Sequence, residues 1–64
     1  MPAEERIRKL ILLGDNRLRQ GLPAKARESY QEALELVREA GVDRALGSLI
    51  ELRLADLDAQ DSAS

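Results

Sequence analysis

The sequence contains no cysteine, histidine, tryptophan or phenylalanine, and its only aromatic residue is Tyr30. Without cysteine, the chain has no disulfide framework, no thiol nucleophile and no thiolate metal ligand. Without histidine, it lacks the commonest general base and the commonest zinc ligand. We therefore expect no catalytic residues, no metal site and no cofactor, and we expect that the protein is not an enzyme.

Long apolar runs and a strong net charge are also missing. The longest apolar run covers residues 10–13, far short of the roughly 20 residues that span a bilayer. A formal net charge of -2 argues against general affinity for nucleic acids or anionic membranes. The start of the chain, with Pro2, Glu4 and Glu5, differs from the basic start of a signal peptide. We therefore expect a cytoplasmic protein that binds neither membranes nor nucleic acids.

The residues that are abundant favour helices. The chain of 64 residues contains 12 leucines and 9 alanines, and both residue types are strong helix formers. We predict one all-α domain over residues 1–59 and a disordered polar tail over residues 60–64. A core in a chain this short rarely supplies more than about 3–5 kcal/mol of net stability. Because disulfides and metals are excluded, self-association is the remaining common source of extra stability.

The spacing of apolar residues predicts three helices, over residues 3–20, 23–40 and 43–59. Gly21 and Gly41 follow the first two helices, as expected for residues that end a helix. Asp43 is the expected N-cap of the third helix. Large apolar side chains cover roughly 200° of this third helix, which is about twice what one neighbouring helix can bury.

Residues 10–36 resemble a tetratricopeptide repeat, a helix–turn–helix unit of about 34 residues. The matching residues, which the resemblance assigns to packing within the repeat, are Leu13, Gly14, Gly21, Ala26, Tyr30, Ala33 and Leu34. The third helix resembles the first helix of a second repeat, so the chain holds about one and a half repeats. Leu10, Arg17 and Arg38 stand where the family has two aromatic residues and a proline. The resemblance implies a helical hairpin plus a third helix that serves as a protein-binding scaffold, with Gly14 facing Ala26.

The first functional hypothesis is a non-enzymatic interaction module that self-associates, as a homodimer packed through the third helix. Its predicted interface residues are Leu46, Leu49, Ile50, Arg53, Leu54, Leu57 and, on the first helix, Leu12. Arg53 and Asp56 lie close enough on the third helix to pair across a two-fold axis.

The second hypothesis is a peptide-binding adapter that uses one face of the first helix. The positions that match the ligand-contacting face of the family are Arg8, Ile11, Leu12, Asp15, Leu18 and Arg19. The same face could instead contact a second copy of the chain. A third alternative is a weak nucleic-acid binder, since the first helix is basic, but its basic residues surround the helix and no aromatic residue is available for base stacking.

Overall fold

The computed structural model describes the backbone of residues 2–63 and the side chains of residues 2–60. It contains three α-helices: α1 (Ala3–Arg19), α2 (Pro23–Ala40) and α3 (Arg44–Ala63). No strand occurs in the described backbone. Helices α1 and α2 form a hairpin, and α3 packs against α2. The predicted all-α fold, a helical hairpin followed by a third helix, is confirmed.

The turn between α1 and α2 satisfies the backbone groups at the end of α1. The Gly21 N–H donates to the carbonyl of Leu18 at 3.0 Å, and the Leu22 N–H donates to that of Arg17 at 2.9 Å. This pair of bonds is a Schellman motif, which requires a left-handed residue. Gly21, with φ at +76°, supplies it. The hairpin therefore turns at the glycine predicted from the sequence.

Helix α3 begins and ends differently from the other two helices. The carboxylate of Asp43 accepts a hydrogen bond from the backbone N–H of Ala45 at 2.9 Å, which confirms the predicted N-cap. The backbone is helical as far as Ala63, four residues beyond the predicted end and within the segment predicted to be disordered. The last predicted tail residue, Ser64, and the side chains of residues 61–63 lie outside the described part.

The core lies where α2 meets the other two helices. Its buried apolar side chains are Ile7, Ile11, Ala26, Tyr30, Ala33, Val37, Ile50 and Leu57. Three of the residues that the family resemblance assigned to packing, Ala26, Tyr30 and Ala33, are 0% exposed. A fourth, Leu34, is half-buried against this core. Leu13 is 39% exposed, since one helical step turns it about 100° from its buried neighbour, Gly14.

Gly14 packs against the ring of Tyr30. A Cβ atom built on Gly14 would lie 2.8 Å from both Cδ1 and Cζ of that ring, and closer still to Cε1. The aromatic ring therefore occupies the space that any other residue at position 14 would need. This contact sets how closely α1 and α2 approach each other.

The three helices form a thin slab, with Cα dimensions of 37 × 19 × 13 Å. Helix α2 contacts both α1 and α3, whereas α1 and α3 barely contact each other. A space therefore remains between α1 and α3 on the side away from α2. No helix in the described part of the chain is both long and apolar enough to cross a membrane.

Candidate interaction groove between the first and third helices

The space between α1 and α3 is an open groove of about 400 Å³. We call it the α1–α3 groove, and it is lined by Arg8, Ile11, Leu12, Asp15, Leu46, Leu49 and Arg53. Four of these seven side chains are aliphatic, so the groove is mainly apolar. Its volume is in the range of small-molecule pockets, about 300–1,000 Å³, but it is open along one side.

Helical periodicity explains why these residues share one groove. On α1, Arg8, Leu12 and Asp15 recur at spacings of four and three residues, so they lie along one face. This face adjoins the stripe of α1 that packs on α2. On α3, Leu46 and Arg53 are seven residues apart and also share a face. Each helix thus uses one side to bury its core residues and an adjacent side to form a wall of the groove.

Two leucines leave much of their surface exposed at the groove. Leu12 on α1 is 62% exposed, and Leu49 on α3 is 38% exposed. Leu46 is half-buried and Ile11 is buried beneath them. Single exposed leucines are common on protein surfaces, whereas these two lie together around one apolar groove.

The polar side of the groove is a network of one hydrogen bond and one ion pair that joins all three helices. The hydroxyl of Tyr30 on α2 donates a 2.5 Å hydrogen bond to Oδ1 of Asp15 on α1. Nε of Arg53 on α3 lies 3.4 Å from the same oxygen. This Nε atom is buried, and within the described part of the chain it makes no hydrogen bond. Its interaction with Asp15 is therefore a longer, purely electrostatic contact.

The network changes the acidity of the one tyrosine. Burial, the hydrogen bond to Asp15 and the negative charge of that carboxylate raise the pKa of Tyr30 to about 12, against the opposing effect of Arg53. Tyr30 is therefore neutral at physiological pH and acts as a hydrogen-bond donor.

Among the side chains that the structure describes, no three carboxylates cluster in a way that could hold a metal ion.

The residues predicted for self-association divide between the groove and the core. Leu12, Leu46, Leu49 and Arg53 line the groove, and Leu54 is half-buried against the core. Two others are not available to a partner, because Ile50 is 0% exposed and Leu57 is 2% exposed. They pack in the core of the chain itself, so the apolar surface of α3 is smaller than its sequence suggested. Arg53 contacts Asp15 of its own chain, which competes with the expected pairing to Asp56.

The residues predicted for peptide binding fall mostly in the same groove. Arg8, Ile11, Leu12 and Asp15 line it. Leu18 instead packs against the core. Arg19 is exposed at the end of α1, outside the groove lining. The two hypotheses, self-association and peptide binding, therefore concern largely the same surface.

The contact among Asp15, Tyr30 and Arg53 was not predicted. Each residue was noted separately, but the three lie far apart in the sequence and meet only when α3 packs on the hairpin. No local pattern in the sequence signals such a contact.

We compared the chain with family models, curated proteins and solved structures, and it shows no significant match to any of them.

Proposed function

We propose that this protein is a non-enzymatic protein–protein interaction module that self-associates as a homodimer, with the α1–α3 groove of one copy covered by the other. The observation that carries the proposal is the pair of exposed leucines, Leu12 and Leu49, on the two walls of one apolar groove. A two-fold dimer places the same surface of both copies in contact and closes the assembly. The leucines of both copies then share one buried patch.

The size of the chain supports self-association. The chain exposes 4501 Å² of surface. This is enough to supply a standard stable interface, which buries about 800 Å² on each partner. The groove alone is too small for such an interface, so the contact extends along the faces of α1 and α3 that flank it. Burying this surface adds to the small core of a chain of 64 residues, for which self-association is a common supplement.

The tetratricopeptide resemblance is part of the same proposal. In its favour, Gly14, Ala26, Tyr30 and Ala33 are all buried at the helix contacts where the family pattern uses them. We propose that the chain is a scaffold of this type whose exposed α1 and α3 faces are covered by dimerisation. The proposed location is the cytoplasm.

The test is the dimer dissociation constant of leucine variants, measured by sedimentation equilibrium. Leu12→Glu and Leu49→Glu each place two carboxylates in the shared patch, one from each copy. We expect each change to raise the dissociation constant by at least about 100-fold, since burying one leucine contributes about 1.5–3 kcal/mol.

The matched control for these variants is Leu13→Glu. Leu13 is 39% exposed, close to the 38% of Leu49, but it does not line the groove. This control should leave the dissociation constant within about twofold of the wild-type value. Equal weakening by Leu13→Glu, or no weakening by Leu12→Glu, would show that the groove is not the interface.

The second candidate is the peptide-binding adapter, which is favoured by the four predicted contact residues that line the groove, Arg8, Ile11, Leu12 and Asp15. In this case the groove takes an apolar segment of a different protein. A chain that stays a folded monomer at all concentrations, and binds a specific heterologous peptide that Leu12→Glu abolishes, would favour the adapter over the dimer.

A further inference from the structure

Helix α1 carries a straight line of exposed residues in which the charge reverses about a central leucine. Glu5, Leu12 and Arg19 are spaced seven residues apart, and all three are exposed. In an α-helix, positions seven apart drift by only about 20°. These residues therefore form one stripe along α1, with an acid toward its start, an exposed leucine at its centre and a base at its end.

Such a stripe is complementary to itself. When two identical helices pack antiparallel about a two-fold axis at Leu12, each residue meets the one equally far on the other side of that leucine. Glu5 then lies opposite Arg19 of the partner subunit, and Arg19 lies opposite the partner's Glu5. Both end contacts join opposite charges, and the two leucines meet at the axis.

The flanking residues on the groove side follow the same rule to within one residue. Arg8 lies four residues before Leu12, and Asp15 lies three residues after it. Antiparallel packing brings Arg8 close to the partner's Asp15, which again joins opposite charges. Within the described part of the chain Arg8 makes no ion pair, so its guanidinium is available. This register creates no contact between like charges along the stripe.

We propose that the occupant of the α1 face is a second copy of the chain, packed antiparallel with Leu12 at the two-fold axis and Glu5 paired with the partner's Arg19. This inference rests on the proposed self-association and adds its register. The stripe adjoins the α1–α3 groove through Leu12 and Arg8, so pairing of the stripes turns the two grooves toward each other. The ion pair of Glu5 with Lys9 within α1 has its charged atoms 3.6 Å apart, and both side chains are exposed. It is too weak to prevent pairing with the partner subunit.

Two single charge reversals test the register. Glu5→Arg makes both ends of the stripe basic, and Arg19→Glu makes both ends acidic. Each homodimer loses two attractive contacts and gains two repulsive ones, so we expect each dissociation constant to rise by about tenfold. When the two variants are mixed, opposite charges face each other again at both ends. We expect a heterodimer with a dissociation constant within about twofold of the wild-type value.

The controls are Glu4→Arg and Arg17→Glu. Glu4 shares the first turn of α1 with Glu5, and Arg17 shares the last turn with Arg19. The controls therefore make the same changes in net charge and the same unfavourable changes at the helix ends, but off the stripe. We expect no weakening of either control homodimer and no gain on mixing them. If a reversal unfolds the chain, Glu5→Gln and Arg19→Gln replace it, with an expected rise of about threefold.

The outcomes separate the register from the self-association on which it rests. A wild-type dimer that neither reversal weakens, or control variants that behave like the stripe variants, would overturn the register and leave the dimer standing. A wild-type chain that is monomeric at every concentration would overturn both. Weakened single variants that recover on mixing would support both.

Discussion

Replacing Gly14 by alanine should destabilise the protein, although alanine is the better helix former. In an exposed helix interior this change is favourable by about 1 kcal/mol. At position 14 the new methyl group would lie 2.8 Å from two ring carbons of Tyr30, which is shorter than any normal carbon–carbon contact. The ring is fully buried, and its hydroxyl is bonded to Asp15, so it cannot move away without breaking that bond.

The loss of stability in Gly14→Ala is the difference between the cost of overpacking and the gain in helix propensity. Inserting a methyl group into a packed core costs about 1–3 kcal/mol, and the restraint on Tyr30 favours the upper end of this range. After subtraction of the gain in helix propensity, we expect a net loss of about 2 kcal/mol. This is about half of the 3–5 kcal/mol expected for a domain of this size.

The assay is urea unfolding followed by circular dichroism at one fixed protein concentration, since the proposed dimerisation would make stability depend on concentration. Gly47→Ala is the control, because its new Cβ atom would lie 3.4 Å from Cγ1 of Val37, an ordinary contact. This control should stabilise the protein by about 0.5–1 kcal/mol. If Gly14→Ala is as stable as the wild type, the close contact with Tyr30 does not exist.

Two further predictions concern the network and the cap of α3. The pKa of Tyr30 is raised from 10.0 to about 12 in the folded chain. The stability that this shift contributes is therefore complete below pH 10 and is lost as the pH rises toward 12. Unfolding of the wild type and of Tyr30→Phe across this range should show the extra loss in the wild type alone, and near-ultraviolet titration would report the only tyrosine. Asp43→Ala should lower the free energy of unfolding by about 1 kcal/mol in the same urea assay, while Asp43→Asn should preserve it. Equal losses in both Asp43 variants would contradict the capping role.

The sequence was sufficient to predict the helices and the hairpin. Gly21 and Gly41 end their helices at left-handed positions, and the preference of glycine for this conformation is a local property of the chain. The N-cap at Asp43 is equally local. The end of α3 was predicted four residues too early, because the last residues are polar and carry no apolar spacing that would indicate a helix.

The groove was predicted only in part, for a different reason. Helical spacing identified Leu12, Leu46 and Leu49 as apolar positions, but it could not determine which side of α3 packs on α2. Ile50 and Leu57 were therefore assigned to a partner interface, although they form part of the core. The contact of Tyr30 with Asp15 depends on the relative placement of α1 and α2, and helical periodicity does not specify that placement.

The most direct test of the proposed homodimer is the mass of the wild-type protein in solution, measured by light scattering during size exclusion over a wide range of concentrations. One chain has a mass of 7.1 kDa. We expect a mass of twice that value at high concentration, falling toward 7.1 kDa on dilution. A folded chain whose mass stays at 7.1 kDa at every concentration would contradict it.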